Sequence, residues 1–247
     1  MVAIDAYIRN PTIKMCEPDK QQAELVSLLK ANGASLVGFG DVSEISADLT
    51  HGLPTAISVA VHYDYDIVNT LDINEELFHK HLYSLNEPIM KLIELTESSM
   101  QAWGYQFKSI GIPSPIESNK QLENFCQFPQ KTAATRAGLG WLGKSSLLIT
   151  PQYGPRVKLF TTLTNANFAN AKPINNNKCG SCQNCVIICP CNAIKNHGWQ
   201  NGVERDKMID VYKCNEYRLN FKTTIGRKHS CGLCIKVCKF GQSQNKG

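Results

Sequence analysis

The sequence predicts an α+β protein of two parts: an α/β domain with a mixed or antiparallel sheet over residues 1–170, then a small cysteine-rich domain over 171–247. Three observations carry that expectation. Helical and strand-like patterns alternate as far as residue 164. A polar stretch, 165–178, with Pro173 and three consecutive asparagines, follows them. Beyond it the chemistry of the chain changes, because nine of the eleven cysteines lie from Cys179 to Cys238.

Taken in order, residues 19–33 read as a helix: Ala23, Leu25, Val26, Leu28 and Leu29 recur at helical spacing, and Gly33 stands where a C-cap belongs. Residues 35–39 read as a strand. Residues 55–63, apolar and β-branched after the breaker Gly52-Leu53-Pro54, read as a stronger one. A long helical region is expected over 74–103, with Pro88 ending one helix or opening the next. A short strand at 105–108 and a loop at 111–115 follow. Residues 131–137 read as a helix end before a Gly-rich stretch, 138–143. Residues 146–150 and 157–164 are expected to pair as strands across the turn 151–155. The sequence has no long repeat and no low-complexity segment, though the two cysteine groups form a degenerate short repeat.

Bulk properties exclude several classes. With 43% hydrophobic residues the 247-residue chain can fill a core. No apolar run of about eighteen residues reads as a membrane span. The first ten residues mix Asp5 and Arg9 with short apolar pieces, unlike a signal peptide, so a cytoplasmic protein without membrane contact is expected. The formal charge is +5. Lys207, Lys213, Arg218, Lys222, Arg227 and Lys228 crowd the last fifth. They fit either an acidic or phosphate-bearing partner or a solvated face balancing anionic groups, and they do not by themselves support nucleic-acid binding.

The cysteines fall at metal-ligand spacing. The first group, Cys179-x2-Cys182-x2-Cys185-x3-Cys189-Pro190, is the run in which three cysteines hold one four-iron cubane and the fourth reaches another. Short spacings wrap a tight loop around one face of a cluster, and the last cysteine, a helical turn onward, points away. The second group, Cys231-x2-Cys234-x3-Cys238, has the last three positions of the same run, and Cys214 completes its count. One cluster is therefore expected on Cys179, Cys182, Cys185 and Cys238, and a second on Cys189, Cys214, Cys231 and Cys234. This makes the second domain a ferredoxin-like module with two [4Fe–4S] clusters. Zinc sites use pairs of CxxC with a longer spacer, which a CxxCxxC run fits poorly. A secreted disulfide scaffold spreads its cysteines over the whole fold. Cys191 is an extra thiol, and Cys16 and Cys126 are expected to be small buried hydrophobes.

Gly138-x4-Gly143-Lys144-Ser145 matches the phosphate-binding P-loop by letter. That mechanism needs a strand before the loop and a helix after it, and the order here reads reversed, so nucleotide hydrolysis is not expected. The glycines around Trp141 instead let the backbone approach a flat ligand, or Trp141 packs the core.

The segment Arg136-Ala-Gly-Leu-Gly-Trp-Leu-Gly-Lys-Ser-Ser-Leu-Leu-Ile-Thr150, with Tyr153-Gly154 after it, resembles the epoxyqueuosine reductases, cobalamin-dependent iron–sulfur enzymes. Cys179-Gly-Ser-Cys-Gln-Asn-Cys-Val-Ile-Ile-Cys-Pro-Cys-Asn-Ala-Ile194, Cys214 and the run from Cys231 to Cys238 resemble their cluster motifs. Reductive dehalogenases are more distant relatives with the same cofactors. The resemblance implies a base-off cobalamin between a corrinoid-binding N-terminal domain and the ferredoxin-like module, with the cluster of Cys189 and Cys214 nearer the cobalt. It implies corrin contacts from the stretch Gly143, Lys144, Ser145 to Leu148, from Tyr153, and from Asn215, the residue after the lone cysteine.

Three departures qualify what carries over. The family's proton-donating acid lies upstream of the Gly-rich motif, but 124–130 hold no Asp or Glu, and Glu123 is the nearest carboxylate. The second run ends Cys238-Lys239-Phe240 where Cys-Pro-Trp-Asn is usual. The helical extension of the longer tRNA-modifying members is expected to be absent after Gly247, so epoxyqueuosine reduction and a nucleic-acid partner are not expected. Three readings stay open. One is a corrinoid reductase of an unidentified small molecule, with His62, Tyr63, Tyr65 or Tyr153 as proton donor. The second is an electron-transfer module reducing the corrinoid of a partner protein. The third is a ferredoxin-like protein whose first domain binds no cofactor. All three need a low-potential electron donor of the ferredoxin or flavodoxin type.

Overall fold

The computed structural model describes residues 18–71, 74–112, 120, 128–225 and 231–242, with side chains omitted over 221–225. Cys16, Glu123, Cys126, Arg227, Lys228 and most of the loop expected at 111–115 lie outside the described residues. In chain order the elements are α1 (Pro18–Ala31), β1 (Leu36–Asp41), α2 (Ala47–Thr50), β2 (Thr55–His62), α3 (Tyr65–Asn69), α4 (Glu75–Ser84), α5 (Asn86–Ala102) and β3 (Phe107–Ile110). These are followed by α6 (Gln130–Arg136), β4 (Trp141–Leu142), β5 (Leu148–Ile149), β6 (Val157–Thr164), α7 (Asn184–Ile187), α8 (Arg205–Met208), α9 (Val211–Ile225) and α10 (Leu233–Lys236).

Four strands form one antiparallel sheet in the order β1-β2-β6-β3, with β2 and β6 central. Period-two alternation gives β2 two unequal faces. Ile57, Val59 and Val61 pack with Leu25 and Leu29 of α1 and with Ile89, Leu92, Ile93 and Met100 of α5. Ala56 and Ala60 point the other way, toward Ala133, Ala134 and Ala137 in and just after α6. Small residues there let α6 come close. A Cβ on Gly38 of β1 would stand 2.4 Å from the Ala137 carbonyl oxygen, and one on Gly40 would stand 2.6 Å from the Ala137 nitrogen.

The helices begin where local chemistry starts them. The Asp64 side chain accepts from the Ile67 amide to cap α3, and Asn74 does the same for α4 through Leu77. Pro88 opens α5 as its third residue, where a missing N–H costs nothing.

The expected pairing of 146–150 with 157–164 does not form. β5 pairs with β4, Trp141 opposite Ile149 and Leu142 opposite Leu148. β6, buried along most of its length, has both edges taken, by β2 and β3. The polar stretch 165–178 is also less of a linker than its composition suggests. Ala166 and Phe168 are buried, Phe168 meets Phe39 edge-on at 5.2 Å, and the Gln22 side chain bonds both the amide and the carbonyl of Ala169. Among the described residues no helix is long and apolar enough to cross a membrane.

Candidate functional site

The segment after α6 folds back as the β4–β5 hairpin, closed by Gly143 N–H donating to the Leu147 carbonyl at 2.9 Å. Its glycines are required by the hairpin itself. A Cβ on Gly140 would stand 2.2 Å from the Ile149 carbonyl oxygen, and one on Gly143 would stand 2.7 Å from Ile149 Cγ1 and 3.5 Å from Cys179 Sγ. Close approach here is to this chain's own backbone and to the first cysteine run. Trp141 is 1% exposed and packs with Ile149, Trp199, Met208, Phe240 and Cys238. A helix precedes this motif and a strand follows it, so the helix N-terminus that a P-loop needs does not follow the glycines.

Two lysines brace the hairpin. Lys144, 8% exposed, donates to the Cys182 carbonyl at 3.1 Å, tying the loop to the first cysteine run. Lys131 donates to the Ser146 carbonyl at 2.7 Å, and burial pulls its ammonium down to about 8.

On the far side of β5, the 150–156 turn interlocks with the end of the second cysteine run. A Cβ on Gly154 would fall 1.9 Å from the Phe240 carbonyl oxygen, and one on Gly241 would fall 2.2 Å from the Tyr153 carbonyl carbon. Both glycines have positive φ, 55° and 70°. Arg156 passes through this junction, 2% exposed. Its Nη1 donates to Phe240 O at 3.0 Å and its Nη2 to Lys236 O at 2.8 Å, so the guanidinium holds the carbonyls two residues either side of Cys238. Burial lowers its pKa, and the neighbouring Cys238 opposes that shift.

None of the described cysteines is in a disulfide, and all are half-buried. Their electrostatic neighbours sort them into two groups. Burial pushes the Cys185 thiol up to about 11, with Cys179, Cys238 and Cys182 adding to the shift. Cys238 is raised by burial and by Cys179 and Cys182, against Arg156. Cys231 is raised by burial, then by Cys214 and Cys189. Cys234 is raised by burial and by Cys231, Cys214, Cys185 and Cys189, so the two groups adjoin through Cys185 and Cys234. Cys191 lies 3.8 Å from Cys189, and burial pushes it up to about 12.

Half-buried thiols that repel one another's ionisation are poor thiolates alone; a positive metal centre inverts that logic and ionises them outright. Among the described residues no three His, Cys, Asp or Glu side chains converge as one ion would require. Four cysteines around a cube of irons each bind a different corner, so they need not converge. The surroundings fit such a group in a second way: two buried N–H donors have no partner, Arg156 Nε, whose guanidinium neighbours Cys238, and Trp141 Nε1, in the apolar cluster against which Cys238 packs.

The other candidates are spread around this assembly. Ser145 and Asn215 are buried polar residues, 6% and 5% exposed, the latter following Cys214 on α9. Leu148 sits in the core with Ala60, Ala134 and Leu139, and Tyr153 packs at its edge. Tyr153 stacks on His62 with ring centroids 4.8 Å apart, and His62 Nδ1 pairs with the Ser35 hydroxyl at 2.8 Å. Tyr63 instead packs against Phe78 and His81, where burial raises its pKa, and Tyr65 lies under Arg156. Of the four proton-donor candidates only His62 and Tyr153 meet. Arg156 and Lys131 carried no motif and were not anticipated.

No protein-family model matches the chain. In sequence it is 30% identical over 137 residues to an epoxyqueuosine reductase of Bacillus cereus, a match covering 52% of this chain and 32% of that protein. It is 26% identical over 198 residues to one of Atelocyanobacterium thalassa, covering 73% and 61%. In structure it is similar to a catabolic reductive dehalogenase, with a TM-score of 0.75 at 18% identity over 95% of this chain and 34% of the other. A second dehalogenase structure, bearing on B12-dependent dehalogenation, gives 0.74 at 19% identity over 96% and 34%. A crystal structure of an epoxyqueuosine reductase gives 0.59 at 18% identity over 91% and 66%. The match spans about a third of the length of the Bacillus relative. The chain is thus similar in sequence to epoxyqueuosine reductases, and its mixed α and β fold is similar to theirs and to that of the dehalogenases.

Proposed function

We propose that this chain is an iron–sulfur reductase of the epoxyqueuosine reductase type that works with a cobalamin. Cys179, Cys182, Cys185 and Cys238 would hold one [4Fe–4S] cluster, and Cys189, Cys214, Cys231 and Cys234 a second, in a ferredoxin-like module. The observation that carries the reading is that thiols of the two cysteine runs neighbour one another, Cys238 with Cys179, Cys182 and Cys185, and Cys231 and Cys234 with Cys189 and Cys214, Cys191 being an extra thiol beside Cys189. Likeness to proteins named for epoxyqueuosine reduction and B12-dependent dehalogenation supports the cobalamin. Gly143, Ser145, Leu148, Tyr153 and Asn215 are its proposed lining, with Lys144 holding the loop in place. Bound clusters and corrin supply one-electron transfer at low potential, fed by a ferredoxin- or flavodoxin-type donor. Around them the chain's own residues bind and orient. Lys144 fixes the first cysteine loop to the hairpin, Arg156 fixes the second run to the sheet, and the stacked His62–Tyr153 pair is the proposed carrier of a proton for a small-molecule substrate.

Anaerobic reconstitution tests this. About eight irons per chain are expected, and about half that number in Cys214→Ala. Zinc in place of iron, or unchanged iron in the variant, overturns the assignment. Titration with cobalamin should give the EPR spectrum of a corrin without its lower base. A second reading, electron delivery to a partner's corrinoid with no substrate chemistry, is favoured by the lack of Asp and Glu in 124–130. Turnover of a halogenated or epoxide test substrate by the reduced chain alone decides for the enzyme.

A further inference from the structure

We propose that the side-chain N–H groups of Trp141 and Arg156 are hydrogen-bond donors to the sulfurs of the cluster held by Cys179, Cys182, Cys185 and Cys238, and that they raise its reduction potential. The inference rests on the two-cluster reading above and goes beyond it by naming what sets one cluster's potential.

A buried donor left without an acceptor costs about 1–3 kcal/mol, so native proteins leave few. Among the described residues five buried side-chain nitrogen or oxygen atoms have no partner, and the two N–H donors among them are Trp141 Nε1 and Arg156 Nε. Both lie beside one cysteine. Trp141 packs in the same apolar cluster as Cys238, its ring edge-on to Phe240 at 5.0 Å, and the hairpin it begins reaches Cys179 through Gly143. Arg156 spends its two terminal nitrogens on the carbonyls either side of Cys238, which fixes the charged plane there and leaves Nε–H over. Neither donor is placed by packing needs alone. Apolar side chains could pack the Trp141 site without an orphan, and a neutral side chain would avoid burying the Arg156 charge.

Cluster sulfurs are the missing acceptors. Adding an electron makes a four-thiolate cluster more negative, so N–H donors and a fixed positive charge favour the reduced form and move the potential upward. Trp141→Phe removes one donor while keeping an aromatic ring, at the cost of a small cavity, and Arg156→Lys keeps the charge while removing the other.

The test uses the full reconstituted chain, with iron and sulfide measured first and then an EPR-monitored redox titration. In Trp141→Phe one of the two clusters should become about tenfold harder to reduce, about 59 mV lower for a one-electron couple, with the other cluster unmoved and iron content full. Wild-type chain labelled with 15N-indole tryptophan should show a nitrogen hyperfine coupling to a reduced cluster that Trp141→Phe abolishes. This readout stands even if Arg156→Lys loses iron. Unshifted potentials with full iron, or no tryptophan coupling, overturn the inference and leave the two-cluster reading standing. A wild-type chain that takes up no four-iron clusters overturns both.

Discussion

Gly40 is a glycine because a helix end occupies the space its side chain would need. A methyl group there would meet the Ala137 nitrogen and the Arg136 carbonyl carbon at 2.6 Å, both backbone atoms unable to step aside without moving α6. Gly40→Ala is therefore expected to destabilise by about 1–3 kcal/mol, the usual cost of overpacking, which thermal melts would register as several degrees. Gly111→Ala is the control, since among the described residues its methyl would meet Ile93 Cδ1 at an ordinary 3.5 Å. Equal melting temperatures for the two variants would show that α6 gives way. At this scale the sequence was legible where residues carry their own chemistry. The cysteine spacing suggested the two interleaved groups on which the proposed function rests. Arg156 was invisible because its meaning lies in two carbonyls 80 and 84 residues further on. Lys144 stood inside a recognisable motif, yet its partner, the Cys182 carbonyl, is a backbone atom that no motif encodes.

Among the elements, those with strong one-dimensional patterns could be read directly: α1 from its helical spacing and Gly33 cap, β2 from its β-branched run, α5 from its opening proline. The pairing of 146–150 with 157–164 was misread because proximity in sequence favours a hairpin, whereas β6 is long and apolar enough to sit in the middle of the sheet. The short α3 was missed; its start depends on Asp64, whose backbone amide donates in turn to His81 Nε2 at 2.8 Å. That bond needs an unprotonated imidazole nitrogen. Burial holds His81 below its ordinary range, and Asp64 partly opposes it. Since the unfolded chain then binds more protons than the folded one in the interval between the two values, this contribution is whole above about pH 6.5 and is lost as pH falls through the folded pKa. Between about pH 7.5 and about pH 5 the melting temperature of the wild type should fall more steeply than that of His81→Gln. Parallel curves would remove His81 from the acid response.

Over the whole molecule, the sheet with α1, α5 and α6 has its own apolar core, while the cysteine-bearing stretches join it through smaller apolar clusters around Trp141 and Phe78 and through the ties from Lys144 and Arg156. On the proposed function, metal binding supplies much of the folding free energy of 179–238. Removing iron with a chelator should raise amide exchange in 179–189 and 231–238 together, with β2 and β6 still protected. Loss of protection in the sheet at the same rate would mean one cooperative unit instead.

The exchange of a thiol between the two runs also bears on how the protein is made. Cys238 stands among the thiols of the first run, and Cys189 among those of the second. On the proposed assignment, a nascent chain leaving the ribosome completes neither foursome before Cys234 has emerged, and the first only with Cys238. Under that arrangement iron loading cannot proceed piecemeal along the growing polypeptide. It waits for synthesis of the second run, and a product cut short before residue 231 would forfeit both proposed centres at once.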